Sequence, residues 1–283
     1  MTTEPRPEPI EDWTNLLLDR VAVVTGGAGG IGGAISRLFA EHGAIVEVVD
    51  TDVDASSSII DEIAAGGGRA TAHHIDVCDH DAVQEMASSV LGRHGSIDIL
   101  VNNVGDYRPL VRFEDSSPAD WDTILLLNLR HVLSVTRAFL PAMRAQRSGC
   151  VVNVHSVEAM RGYPGDPVYA AAKAGVAQLT SSMAVRYGRD GIRFNGIGPD
   201  LTQTSQVDYL AGYEPDELNW ESWAPVGRVG LPEDQARVAL FLASDLSGFV
   251  TGHNIPVDGG SHAGGGWFFS RADRRFVNRP KGL

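Results

Sequence analysis

The sequence predicts an α/β chain built on a doubly wound, seven-stranded parallel sheet with helices on both faces. Three observations predict it. Seven short, nearly continuous apolar runs recur along the 283 residues, longer helical patterns fill the intervals, and a glycine cluster lies between the first run and the first helix. A strand covered on both faces needs apolar residues at almost every position, whereas a strand with one wet face alternates. Right-handed crossovers then collect the strand C-termini at one edge, where open α/β sheets bind ligands.

The elements follow in order. Residues 1 to about 18, beginning MTTEPRPEPIEDW, read as a polar, proline-bearing arm without the basic region and apolar run of a signal peptide. The strands are VAVVT (Val21 to Thr25), IVEVVD (Ile45 to Asp50), ATAHHIDV (Ala70 to Val77), IDILVNN (Ile97 to Asn103), VVNVHS (Val151 to Ser156), IRFNGI (Ile192 to Ile197) and NIPVDG (Asn254 to Gly259). Long helices are expected around 118 to 145 and 167 to 187. One catalytic domain therefore spans 19–260. Within it 201–229, carrying Tyr209, Tyr213, Trp220 and Trp223, reads as a substrate lid, although these aromatics suit lid packing or a subunit contact as well as an apolar or cyclic substrate. The last segment, 261–283, begins with glycines and ends basic and aromatic, with Arg271, Arg274, Arg275, Arg279 and Lys281 around Trp267, Phe268 and Phe269. Its +4 charge against -17 on the rest suggests packing over an acidic surface.

Charge and composition exclude several classes. A net charge of -13 repels phosphate backbones and anionic lipid, so neither nucleic acid nor membrane is an expected partner, and small molecules are. The two cysteines are far apart, the nine histidines include no HExxH pair, and His73 and His74 would face opposite sides of a strand, so no metal site is expected. A cytoplasmic location follows by default.

The loop TGGAGGIGGAISRLFAEHG holds Gly26, Gly30 and Gly32, with Ile31 opening the helix, and Asp50 closes the second strand 20 residues after Gly30. Glycines let a pyrophosphate approach backbone amides at a helix N-terminus, and an acid at that distance binds adenosine ribose hydroxyls. The Asp50 carboxylate would repel a 2′-phosphate, and no Arg or Lys in the loop or in DTDVDA compensates, so the expected cofactor is NAD.

In DPVYAAAKAGVAQL, Tyr169 and Lys173 stand four apart on an alanine-rich helix and so share a face. Such a pair also occurs on exposed helices. Read as chemistry, it needs a positive charge near a phenol whose ordinary pKa is about 10.

Together, Thr25-Gly26-xxx-Gly30-x-Gly32, the NNVG of Asn102 to Gly105, Ser156 thirteen residues before Tyr169, Tyr169-xxx-Lys173, and the VDGG ending at Gly260 resemble the short-chain dehydrogenase/reductase family over roughly 20 to 260. The resemblance implies a Rossmann-type fold and a tetrad of Asn128, Ser156, Tyr169 and Lys173. In it Tyr169 is acid and base, Ser156 binds the substrate oxygen, and Asn128 holds a water linking Lys173 to solvent. It further implies adenine contacts at Asp76 and Val77, cofactor contacts at Asn103, Gly105 and Thr204, and a homotetramer. Asn102 is as readily structural as binding, His155 reads as a packed histidine, and Asp106, Tyr107, Arg108, Glu158 and Tyr163 are candidates for the pocket. Where the family has Pro-Gly, this chain has Pro199-Asp200. If the backbone there needs φ > 0, Asp tolerates it better than most residues but less well than glycine, and the carboxylate is expected towards the nicotinamide, where it would favour the oxidised form.

The expected activity is NAD-dependent interconversion of a secondary alcohol and a ketone, with a 3-oxoacyl-type ketoreductase as the alternative. A non-catalytic NAD sensor would not need Ser156, Tyr169 and Lys173 in register. An epimerase or dehydratase would usually carry a larger C-terminal substrate domain.

Overall fold

The computed structural model describes residues 13–108, 111–207, 223–270 and 274–277. Seven parallel strands form one sheet in the order β3-β2-β1-β4-β5-β6-β7: β1 Val21–Thr25, β2 Ile45–Asp50, β3 Arg69–His74, β4 Ile99–Asn102, β5 Gly149–Val154, β6 Ile192–Pro199 and β7 Asn254–Val257. The order reverses between β1 and β4. A crevice therefore opens there at the C-terminal edge, and Thr25, Asn102 and Asn103 border it.

Helices α1 (Gly30–Glu41), α2 (Val53–Ala65) and α7 (Pro232–Ala243) pack on one face. On the other lie α3 (His80–His94), α5 (His131–Gln146) and α6 (Pro167–Tyr187). Successive strand residues feed the two cores alternately: Ala22 and Val24 go to the first, Val21 and Val23 to the second. That double burial is why the strands read as continuous apolar runs. Helix α4 (Pro118–Leu125) runs through a π turn, Leu126–Arg130, into α5. The 29 residues Pro118–Gln146 are apolar and long enough to cross a bilayer, but Val135, Phe139 and Met143 are buried in the second core, as in a core helix.

Three boundaries differ from expectation. Leu17, placed in the arm by sequence, is wholly buried in the first core, and its amide donates to His42 O. Strand β3 stops at His74, so Asp76 and Val77 lie in the loop beyond it. The tail forms a short helix α8 (Ser261–Gly264) and an antiparallel hairpin of β8 (Phe268–Ser270) and β9 (Arg275–Val277). Tyr209, Tyr213, Trp220, Arg271, Arg279 and Lys281 lie outside the described residues, and Trp223 is 41% exposed.

Candidate active site

At the dinucleotide end, buried Thr25 closes β1. Its hydroxyl donates to Val101 O (3.3 Å) and accepts from Asn103 N (3.0 Å). Asn103 Nδ2 donates to Thr25 O and Gly26 O, both at 3.1 Å, and so clasps the glycine loop. A Cβ on Gly32 would overlap Gly26 O and come within 2.6 Å of Asn103 Nδ2, so only glycine lets α1 start this close to the loop. No side chain caps α1 at Gly29, which leaves the first-turn amides to an anion.

Asp50 sits beside the loop. One carboxylate oxygen accepts from Ala28 N and the other from Asp52 N, both at 3.1 Å. Thr204 closes the opposite side, its methyl carbon 3.5 Å from where a Gly30 Cβ would lie. Ile31 is half-buried against the first core, Val77 is buried, and Asp76 accepts from Cys78 N at 2.8 Å. Free amides at a glycine turn with an acid at the end of the second strand fit a dinucleotide.

At the catalytic end, Ser156 follows β5. Its hydroxyl accepts from Glu158 N at 3.2 Å. Asp166 starts α6 as its N-cap, accepting from Val168 N (2.9 Å) and Tyr169 N (3.0 Å), with Pro167 at the first helical position. Tyr169 is thereby held at the start of the helix. Lys173, one turn on, is buried, with Nζ 5.7 Å from the Tyr169 ring centroid and donating to Val154 O at 3.2 Å. Burial lowers its pKa to about 8.

Asn128 occupies the π turn, a helical irregularity common at functional sites. It is fully buried, donates to Asp106 O (2.7 Å) and Ile124 O (3.0 Å), and accepts from Asp106 N (3.2 Å). Gly105 is where Lys173 and Asn128 converge: a Cβ there would lie 2.6 Å from Lys173 Nζ and 2.9 Å from Asn128 Oδ1. The rings of Tyr107 and Tyr163 each meet that of Tyr169 edge-on at 6.3 Å, making aromatic walls around the phenol. The pocket candidates Asp106 and Arg108 form an ion pair at 2.7 Å beside Tyr107.

The structure corrects the expectation for Asp200. The positive φ falls on Leu201 (41°), not on Asp200. The carboxylate accepts from Arg161 Nη2 (2.9 Å) and Ser261 Oγ (2.5 Å), and its other oxygen accepts from Leu201 N (3.0 Å). Its charge is thus matched by a guanidinium instead of being left for a nicotinamide. Asn102 resolves as structural: it donates to Thr136 Oγ1 and Asn153 Oδ1, tying β4 to β5. His155 is buried with its pKa lowered by burial to about 4, and is a packed neutral histidine as expected.

Sequence reasoning missed Asp166, although Asp-Pro before an alanine run is a helix-start signal. It also missed Arg161, for which nothing local in the sequence names a partner 39 residues away. His131, buried one turn after Asn128 with its pKa lowered by burial to about 3, was missed as well.

The family described as enoyl-(acyl carrier protein) reductase matches residues 26–262. The chain is 39% identical over 243 residues to the 3-oxoacyl-(acyl-carrier-protein) reductase FabG of Thermotoga maritima, covering 85% of this chain and 97% of that one. It is 38% identical over 243 residues to the cis-4-hydroxycyclohexanecarboxylate dehydrogenase of Sinomonas cyclohexanicum, covering 86% and 96%. Among solved structures, a 7α-hydroxysteroid dehydrogenase complexed with NADH and 7-oxo glycochenodeoxycholic acid superposes with a TM-score of 0.82 at 32% identity, covering 89% of this chain and 98% of that one.

Proposed function

Because the chain belongs to the short-chain dehydrogenase/reductase family, we propose that it is an NAD-dependent oxidoreductase interconverting a secondary alcohol and a ketone, acting on an apolar or cyclic substrate. The observation that carries this reading is Tyr169 held at the start of α6 with Lys173 beneath its ring and Ser156 at the neighbouring strand end. When bound, the nicotinamide cofactor supplies the hydride acceptor or donor. Tyr169 Oη takes the hydroxyl proton in oxidation and returns it to the forming alkoxide in reduction, while Lys173 favours the phenolate. Ser156 Oγ hydrogen-bonds the same substrate oxygen and orients it. Asn128, satisfied by Asp106 and Ile124, fixes the floor on which Lys173 rests.

Asp50 supports NAD over NADP, since a carboxylate already bonded to the glycine loop is poorly placed beside a 2′-phosphate. The Tyr107 and Tyr163 walls support a flat or cyclic substrate. A second reading, a 3-oxoacyl-type ketoreductase, is favoured by the relative from Thermotoga maritima. A homotetramer in the cytoplasm belongs to the same proposal. The test follows absorbance at 340 nm with NAD and then NADP against cyclic alcohols and 3-oxoacyl thioesters. Higher kcat/KM with NAD and a cyclic alcohol supports the first reading, and preference for the thioester supports the second.

A further inference from the structure

Beyond Ser156 the chain turns through Glu158 and Arg161 before reaching Tyr163 and the catalytic helix. Arg161 grips Glu158 with a fork, Nε to Oε2 at 3.2 Å and Nη2 to Oε1 at 2.7 Å. The same Nη2 reaches Asp200, at the exit of β6, at 2.9 Å. The three side chains are only 25%, 13% and 10% exposed, so solvent screens them less than it would a surface pair. Ser261 Oγ joins the cluster to Asp258, 2.5 Å from Asp200 and 3.2 Å from the Asp258 carboxylate, which also accepts from the Gly260 and His262 amides.

The charge count decides what this cluster does. Two carboxylates, Glu158 and Asp200, meet one guanidinium, and Asp258 joins them only through Ser261 Oγ. Asp106 and Arg108 form their own pair, Asp166 adds a further carboxylate that caps α6, and the buried Lys173 ammonium beside Tyr169 offsets one of these charges. Arg161 is therefore neutralised twice over, and its surroundings keep a negative excess. The cluster also touches the catalytic machinery, because the Glu158 amide donates to the Ser156 hydroxyl.

We propose that Glu158, Arg161 and Asp200 set the charge specificity of the active site, selecting uncharged alcohols and ketones and rejecting substrates that carry a carboxylate or phosphate near the reacting carbon. The inference rests on the hydride-transfer reading above and adds the substrate's charge to it. It also separates this chain from its relative named for a hydroxycyclohexanecarboxylate, whose substrate is an anion. Arg161 is the residue that such an anion would seek, and here two acids already hold it.

The experiment compares 4-methylcyclohexanol with 4-hydroxycyclohexanecarboxylate, and the two matching ketones, as the ratio of kcat/KM for neutral over anionic substrate. The unmodified enzyme is expected to favour the neutral partner by about tenfold or more, an advantage that shrinks as salt is raised from low to high ionic strength. Asp200→Asn is expected to lower the ratio severalfold by releasing Arg161, and Glu158→Gln to do the same. Arg161→Met is expected to raise it, because the carboxylates then stand alone. Opposite movement in the acid and base variants is what a purely structural role would not produce, since loosening the loop slows both substrates together. Preference for the carboxylate, or a ratio that stays within twofold in all three variants, overturns the charge rule while leaving the dehydrogenase intact. Absence of hydride transfer to either substrate, under conditions where the thioesters also fail, overturns the hydride-transfer reading and the charge rule with it.

Discussion

Lys173 shows how the catalytic use proposed for a residue conflicts with folding. Its ammonium is buried and donates to the Val154 carbonyl, and burial brings its pKa from 10.5 to about 8. A folded-state value below the unfolded one means that folding works against the charged form, by roughly 3 kcal/mol at neutral pH. That penalty is complete below pH 8 and disappears as pH rises from about 8 to 10.5, where both states become neutral. Lys173→Met therefore abolishes turnover yet stabilises the protein at pH 7 by about 1–2 kcal/mol, the gain being trimmed by the orphaned Val154 carbonyl. Thermal denaturation of both proteins at pH 7 and pH 10.5 checks this, with the variant's advantage lost at the higher pH, where only the cost of the unpaired carbonyl remains.

The sequence exposed this residue because its Tyr-xxx-Lys spacing is local and helical. Gly105 was legible only as part of a turn. Its physical role, leaving room for Lys173 Nζ and Asn128 Oδ1, depends on three segments meeting in space. The ion pair of Asp200 was illegible for the same reason. Its partners Arg161 and Ser261 lie 39 and 61 residues away, and no local pattern reports an ion pair of that span.

At the scale of elements, helix α6 carries both Tyr169 and Lys173, the proposed catalytic pair, and its first turn decides where Tyr169 sits. Asp166 accepts from the amides of Val168 and Tyr169 itself. Asp166→Ala is expected to cost about 1–2 kcal/mol of stability. It should also lower kcat more than it raises KM, because the phenol loses its fixed origin. Denaturant titration and steady-state kinetics on the one variant measure both effects. Strands β1 and β2 matched their apolar runs end to end, since double burial writes itself into every position. β3 did not: it is an edge strand with partly exposed residues, and the run Ala70 to Val77 continued into the loop that carries Asp76 and Val77. The π turn around Asn128 left no periodic signal either, because one extra residue in a continuous apolar helix changes the pattern by less than a turn.

Across the whole molecule, the two apolar cores on either face of the sheet border the β1/β4 crevice, and a buried acid lies on the second face. Glu47, on β2, is fully buried and accepts from His73 Nε2 (2.5 Å), His94 Nε2 (2.6 Å) and Arg93 Nη1 (3.1 Å). Burial alone would push its pKa up. The hydrogen bonds from both histidines and the charges of His73 and Arg93 outweigh it and hold the carboxyl below its ordinary 4.5. The stability it contributes is present above pH 4.5 and is lost as pH falls through the lower folded-state value. Glu47→Gln should therefore destabilise the protein by about 2–4 kcal/mol at pH 7, with the gap narrowing only below pH 4.5 in acid denaturation. The sequence placed His73 and His74 on opposite faces, and the structure agrees, with His73 turned inward to Glu47 and His74 exposed. It gave no hint that β2 carries a buried acid, because Glu47 interrupts an otherwise apolar run without changing its reading as a strand.

Tyr169 is proposed to move the proton that accompanies hydride transfer. The direct measurement is single-turnover formation of NADH from NAD and a cyclic secondary alcohol by the unmodified enzyme and by Tyr169→Phe, with NADH binding followed by fluorescence in both. Loss of turnover by about a thousandfold or more in the variant, with NADH bound as tightly as before, is the predicted result. Turnover that survives the loss of the phenolic hydroxyl would contradict the account.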